Sequence, residues 1–440
     1  MHRRNAYVVY LILETAISVA GGLYGTISAV YRVEAAGLNP LELVLVGTVL
    51  EAAYFLANLP TGVVADTYSR RLSVIIGLIL YGIGFIIEGA IPLFATILLA
   101  QVIWGVGATF LDGAMEAWIS GEIGDARVRQ AFLRASQVGA VGGIVGAIAS
   151  VLIAGIGLGL PMILGGVVYI ALGAFAIFAM PENGFQRIPP EERTSSWQEF
   201  TSTLRHGGRV VRHSPLLLTI LSIAFFAGMA SEGFDRLWEA HFLTVIHLPA
   251  LASLNPIVWF GIITVGAELL GIGTTEVIRR WVPTDTHVSA ARVLFTINAL
   301  LVAGVVVFGL AGSFPLAIGA YWTVSVLRGL RNPIYTAWLT QRIEPRVRAT
   351  VLSMSSQLDS LGQVAGGPFI GLIGTVQGLR AALVVSGIAL APALPLFALA
   401  RRQGRGLDVK EVVTEGITAA PEIPQPGGSH HDIVNDTPTL

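Results

Sequence analysis

The chain has 440 residues, 54% of them hydrophobic and only 12% charged, with a mean hydropathy of +0.72 and a formal net charge of -1. A soluble domain carries roughly twice that charged fraction, and a nucleic-acid-binding domain shows a basic face, so neither class fits. Cysteine is absent, which excludes disulfides, thiolate metal sites and cysteine nucleophiles.

The apolar residues fall in long runs that read, in chain order, as spans 6–31, 41–65, 72–94, 97–120, 135–157, 160–180, 216–243, 254–278, 288–311, 315–340, 350–376 and 380–400. Such runs are long enough to cross about 30 Å of hydrocarbon as helices. In lipid the backbone must satisfy its own hydrogen bonds, so helices follow, and the short alternating segments of a membrane β-barrel are missing. The run from Ala6 to Tyr31 is too long for a signal-peptide core and shows no small-residue cleavage site, so it reads as the first span. The polar stretch from Pro181 to Ser214 follows the sixth span, and its part from Ser195 to Arg212 predicts an amphipathic helix on the membrane surface. Beyond Ala400 a polar tail with Pro and Gly reads as disordered. The organisation is therefore an N-terminal six-helix bundle (1–180), a cytoplasmic central loop (181–214), a C-terminal six-helix bundle (215–400) and a cytoplasmic tail (401–440).

Arginine placement orients these spans. With the N-terminus inside, the inner loops hold Arg70, Arg71, Arg127, Arg129, Arg279, Arg280, Arg346 and Arg348 among others, while the outer loops hold Arg32 and Arg380. That asymmetry is the positive-inside rule, and it predicts a multi-pass cell-membrane protein with both termini cytoplasmic. The halves also resemble each other. Ala117 to Arg129, AWISGEIGDARVR, aligns with Ala337 to Arg348, AWLTQRIEPRVR, and Gly62, Arg70 and Arg71 correspond to Gly271, Arg279 and Arg280. Six spans per half preserve orientation, so the repeats are parallel, related by an axis along the membrane normal.

Between the second and third spans stands Gly62-Val63-Val64-Ala65-Asp66-Thr67-Tyr68-Ser69-Arg70-Arg71. This resembles the loop signature of the major facilitator superfamily, G-x-L-A-D-x-x-G-R-[KR], with Val64 for leucine and Ser69 for the second glycine. The resemblance covers about residues 1–400 and implies an all-α fold of twelve transmembrane helices in two bundles, acting as a monomer without a cofactor. It also implies that Gly62, Asp66, Arg70 and Arg71 form a gating motif that latches the halves on the cytoplasmic side when the carrier faces outward. Physically, Gly62 permits close helix contact, Asp66 faces the positive end of a helix, and Arg70 and Arg71 pair with Glu116, Glu122 or Asp125. Gln101-Val102-Ile103-Trp104-Gly105-Val106-Gly107 is similar to the superfamily's R-x-x-x-G-x-G, but with Gln101 where the arginine implied in proton coupling belongs. Gly139, Gly142, Gly143 and Gly146 resemble an antiporter signature without its proline, and Gly367-Pro368-Phe369-Ile370-Gly371 supplies a GP-x-x-G element in the eleventh span. Small residues at these spacings also serve plain helix packing.

A charge at mid-bilayer costs about 2.5–3.5 kcal/mol even on insertion scales, so each one calls for a cavity or a partner. The candidates for proton coupling or for the substrate cavity are Glu14, Asp112, Glu116, Glu232, Asp235, Arg236, Arg328, Arg331 and Asp359, with Asp112 and Asp235 foremost by depth. All but Asp359 fall on spans 1, 4, 7 and 10, which line the cavity in the superfamily the chain resembles. Simple neutralisation is the competing reading: Glu232 with Arg236 at i,i+4, and Asp359 with Arg328 or Arg331. Glu239 and Glu116 read as hydrated near the interface, and His241 and His247 read as surface histidines rather than metal ligands. No nucleotide-binding, zinc-protease or serine-hydrolase motif occurs, so the reading is of a non-enzyme. The function expected is secondary transport of a small solute, with protons as the coupling partner, as efflux of drug-like or amphipathic compounds. Uptake symport of a sugar or organic anion, and a non-transporting membrane sensor, are the alternatives.

Overall fold

The computed structural model describes residues 5–185, 212, 214–246, 248–250, 256–281, 287–340 and 345–403, and they fold as twelve helical passages. These are α1 (Ala6–Glu34), α2 (Pro40–Thr67), α3 (Arg70–Ala90), α4 (Phe94–Ile123), α5 (Asp125–Ala154), α6 (Leu160–Ala179), α7 (Pro215–Ile246), α8 (Val258–Trp281), α9 (His287–Leu310), α10 (Phe314–Thr340), α11 (Pro345–Gln377) and α12, which runs Leu379–Ala389 and Ala393–Gln403. Among the described residues nine are long and apolar enough to cross a membrane. Of the other three, α8 is apolar over the short stretch Val258–Thr274, and α10 and α11 carry polar and charged residues along their length. The surface helix expected at 195–212 and the tail beyond 403 lie outside the described residues.

Local signals set the ends. Asn39 caps α2 by accepting from the Glu42 amide, Glu42 returns the bond to the Asn39 amide, and Pro40 occupies the first turn. Ser69, which departs from the signature glycine, caps α3 by accepting from the Leu72 amide at 2.9 Å and donates to Glu182 at 2.8 Å. Helix α5 begins ten residues before the expected 135, because its arginine-bearing first turns continue the helix beyond the apolar run. Three passages are broken, α12 at residues 390–392 and two others. α1 bends at Thr26–Ile27, where the Thr26 hydroxyl donates back to the Gly22 carbonyl. α4 stops at Leu111 and restarts at Ala114, with Gly113 at φ +73°, a conformation that favours glycine.

Packing repeats between the halves. α1 packs on α5 and α6, α2 on α4, and α3 on α4 and α6; in the same order α7 packs on α11 and α12, α8 on α10, and α9 on α10 and α12. Lipid offers no hydrophobic drive for this, so small residues bring backbones together. A Cβ on Gly22 would lie 2.5 Å from the Gly143 carbonyl oxygen, and one on Gly146 would meet the Val19 carbonyl. Gly142 and Gly146 thus serve helix packing within one half.

The halves meet through α2 against α11 and α7, and through α5 against α8. These contacts lie from mid-depth to the end opposite the signature loop. Gly371 receives Leu41 and Val44, Gly374 receives Pro40, and the Leu41 amide donates to the Thr375 hydroxyl at 3.1 Å. The GP-x-x-G glycines therefore seam the two halves. Gly47 sits over the Glu232–Arg236 pair, so that a Cβ there would stand 2.0 Å from Arg236 Nε. A Gly47→Val exchange should force the halves apart at this end. In the naturally cysteine-free chain, Leu41→Cys and Thr375→Cys should cross-link readily with a short bis-maleimide, and Gly47→Val should lower the yield several-fold; an unchanged yield would refute the seam.

Candidate functional site

The signature loop stays within its own half. Arg70 donates to the Ala117 carbonyl at 2.9 Å and lies over the Phe185 ring, and Arg71 donates to the Ile177 carbonyl. Glu122 accepts from the Asn183 and Gly184 amides instead. Pairing of Arg70 or Arg71 with Glu116 or Glu122 is thus not seen among the described residues, and the Asp125 side chain lies outside them. The arginines find nearer acceptors in carbonyls at helix ends. Asp66 is exposed, and a Cβ on Gly62 would meet nothing within 4 Å, so the close contact expected there is absent in this conformation.

Where the halves join, charges converge. Arg236 Nε donates to Glu232 Oε1 at 3.3 Å, and Glu232 is fully buried with its second oxygen unpartnered. Glu51 on α2 accepts from the Ser360 hydroxyl of α11 at 2.9 Å, a bond between halves. One turn along α7, Asp235 accepts two bonds from Arg328 on α10, one of them 2.6 Å long. Asp359 accepts from Gln363 at 3.0 Å, so Arg328 is committed to Asp235 rather than to Asp359. Arg331, whose Nε has no partner, lies over the Tyr335 ring. Arg328, Arg331, Asn332 and Asp359 face a cavity of about 160 Å³ within the C-terminal helices.

In the N-terminal helices Asp112, at the break in α4, accepts from the Tyr54 hydroxyl of α2, and Glu14 on α1 faces Tyr10 and Glu116. Deeper lies a cluster that sequence reasoning missed. Glu88 on α3 is fully buried and accepts from Arg32 Nε at 2.8 Å, from the Tyr24 hydroxyl at 2.8 Å and from Gln101 at 2.7 Å. Arg32 is therefore a buried ion-pair partner, not a residue of an outer loop; the α1 bend at Thr26 turns it inward. His241 is likewise buried, edge-on to Phe308, rather than on the surface, while His247 lies outside the described residues.

A second cavity, of about 530 Å³, opens between the halves, with α1 and α5 on one wall and α7, α8 and α10 on the other. Its walls differ in chemistry: glycines and other small residues on one side, and Trp238, Tyr321, Glu239 and Glu268 on the other.

The family model of the Major Facilitator Superfamily matches residues 9–286. The chain belongs to that superfamily. It is 22% identical over 388 residues to an uncharacterised MFS-type transporter, YxaM, of Bacillus subtilis (strain 168), covering 87% of this chain and 92% of that protein. Among solved structures it is similar to the nucleoside transporter NupG, with TM-score 0.72, 13% identity and coverage of 90% and 100% of the two chains. It is also similar to a bacterial homologue of the lysosomal transporter Spinster in an inward-facing, occupied conformation, with TM-score 0.69, 15% identity and coverage of 90% and 96%. The chain is thus a multi-pass membrane transporter of the superfamily type.

Gln101, which stands where the resembled signature has an arginine, lies beside a cation from another helix. Gln101 donates to Glu88 and accepts from Trp104, while Arg32 of α1 supplies the cation. The signal was present in the sequence as a lone acid in the α3 run and a lone arginine at the end of α1. Removing one partner of a buried pair leaves an uncompensated charge and costs roughly 3–5 kcal/mol. Glu88→Gln should lower the thermal unfolding temperature of the protein in lipid nanodiscs, and Arg32→Gln added to it should recover most of the loss. A Glu88→Gln protein as stable as the parent would contradict the pairing.

Proposed function

We propose that the chain is a secondary active transporter that works by alternating access, exporting drug-like or amphipathic compounds in exchange for protons. One observation carries the reading: the halves touch from mid-depth to one end, and a cavity lined by carboxylates and aromatic rings lies between them. By the arginine bias, the signature-loop end is cytoplasmic, as are both termini, and the conformation is open inward. Gly62, Asp66, Arg70 and Arg71 then await the opposite state, in which the halves close over them. The chain acts as a monomer in the cell membrane.

Glu232 and Asp359 are the proposed proton carriers. Each lies at the junction of halves or beside the cavity and keeps acceptor capacity: Glu232 has an unpartnered oxygen, and Asp359 accepts one bond among those described. Asp235, held by two bonds from Arg328, is the anchor of α7 to α10, and Asp112 ties α4 to α2 through Tyr54. In everted vesicles, an exported compound should collapse a preformed proton gradient. Glu232→Gln and Asp359→Asn should each reduce that flux by roughly tenfold or more while substrate counterflow persists. Collapse that is undiminished in both variants would remove them from the coupling.

Uptake of an organic anion is the second reading. It is supported by Arg331, whose Nε is unpartnered beside the smaller cavity. It is weakened because Arg236 and Arg328 are already neutralised by Glu232 and Asp235. Acidification of right-side-out vesicles on addition of an anion would favour it.

A further inference from the structure

The cavity between the halves contains a carboxylate with one oxygen left without a partner by the fold. Glu239 on α7 is 7% exposed, lines the cavity, and its Oε2 has no hydrogen-bond partner. A buried acceptor of this kind is costly unless a ligand completes it. Arg32 and Arg236 are committed, to Glu88 and to Glu232. A second acid, Glu268 of α8, faces the same space. The neighbouring rings are Trp238 and Tyr321, their centroids 4.3 Å apart at 34°, which together form an aromatic corner beside the two carboxylates. The opposite wall is electrically neutral, and it has been left empty. Gly21, Gly25 and Gly143 line the cavity, and a Cβ on any of them would meet nothing within 4 Å, so helix packing does not require these glycines.

A second space lies beside the cavity, across one shared residue. Val265 lines the cavity and also lines an apolar crevice of about 550 Å³ between α5 and α8, walled by Ile148, Val151, Leu152 and Ile262. A carboxylate pair with aromatic faces selects a cation, since ring quadrupoles and acids both favour positive charge. An adjoining aliphatic slot selects an alkyl chain.

We propose that this is a binding site for a single-tailed cationic amphiphile. Its ammonium head sits between Glu239, Glu268, Trp238 and Tyr321, and its tail lies in the crevice between α5 and α8. The inference rests on the efflux reading and names the substrate class for it. The chain takes such a compound from the bilayer side, through the crevice, rather than from water.

The test uses the full chain in nanodiscs of neutral lipid, with radiolabelled dodecyltrimethylammonium as probe and tetramethylammonium and an uncharged dodecyl glycoside as competitors. Dodecyltrimethylammonium should bind saturably and be displaced by neither competitor at equal concentration. Glu239→Gln should weaken binding by at least about tenfold, the loss expected for one charge-assisted contact. Glu268→Gln serves as the second variant should Glu239→Gln fail to fold, and it should weaken binding in the same direction. Ile148→Trp, at a half-exposed position that tolerates bulk, should narrow the crevice and weaken the dodecyl cation without changing tetramethylammonium. Equal binding of the uncharged glycoside, or undiminished binding in both glutamate variants, overturns the head site. Indifference to Ile148→Trp overturns the tail site and leaves the crevice to a lipid acyl chain. Because the readout is binding, it stands apart from proton-linked flux: flux without cation binding overturns this substrate class alone, whereas cation binding without any flux overturns the transport reading.

Discussion

The close approach of α2 to α7 and α11, where Gly47 leaves a notch for the Glu232–Arg236 pair and Gly367 flanks it, is the constraint on which the arrangement of the two halves depends. Three helices meet there: α2 from one half, α7 and α11 from the other. Lipid gives helices no hydrophobic reason to associate, so a junction must come from close backbone approach and from polar groups satisfied across it. Glycines at 47, 367, 371 and 374 provide the approach, and the Glu51–Ser360 and Leu41–Thr375 bonds provide the polar contacts. Glu232 and Arg236 stand on one helix and stay paired wherever the halves lie, so closure at this end takes its register from the bonds that cross between helices.

From that junction the charges divide by role. Arg32 with Glu88, and Asp235 with Arg328, join helices of one half to each other and are fully engaged. They behave as internal braces, rigid within a half. Glu232, Glu239 and Asp359 differ, because each retains an oxygen free or a single described bond, and each lies where the halves or a cavity give access. A rigid half and an incompletely satisfied boundary suit the rocking carrier proposed above, in which the halves move as bodies with those acids between them.

The signature loop is held in shape by bonds within its own half. Its serine caps α3, and its arginines hold carbonyls at the ends of α4 and α6, all within one half. Those bonds keep the loop shaped while Asp66 remains exposed. An exposed acid on a preformed loop costs little to dock against a helix N-terminus, since its ordering is already done.

The sequence by itself determined what depends on order along the chain. Hydropathy gave the twelve passages, because any lipid-crossing segment must be a helix of a certain length. The arginine bias predicts an orientation, and the Gly62 to Arg71 motif pointed to the superfamily. Pairing was decided only in three dimensions. Which carboxylate meets which cation depends on helix rotation and on breaks such as those at Thr26 and Gly113, which no run of apolar residues reveals. Thus Asp235 found Arg328, Arg32 left the surface for Glu88, and His241 was buried rather than exposed. Glu239, which read as a hydrated interface residue, lies in a cavity that exists only because two halves of the chain, joined at one end, stand apart behind it. Distance along the chain could not disclose that space, since its two walls come from helices about ninety residues or more apart in sequence.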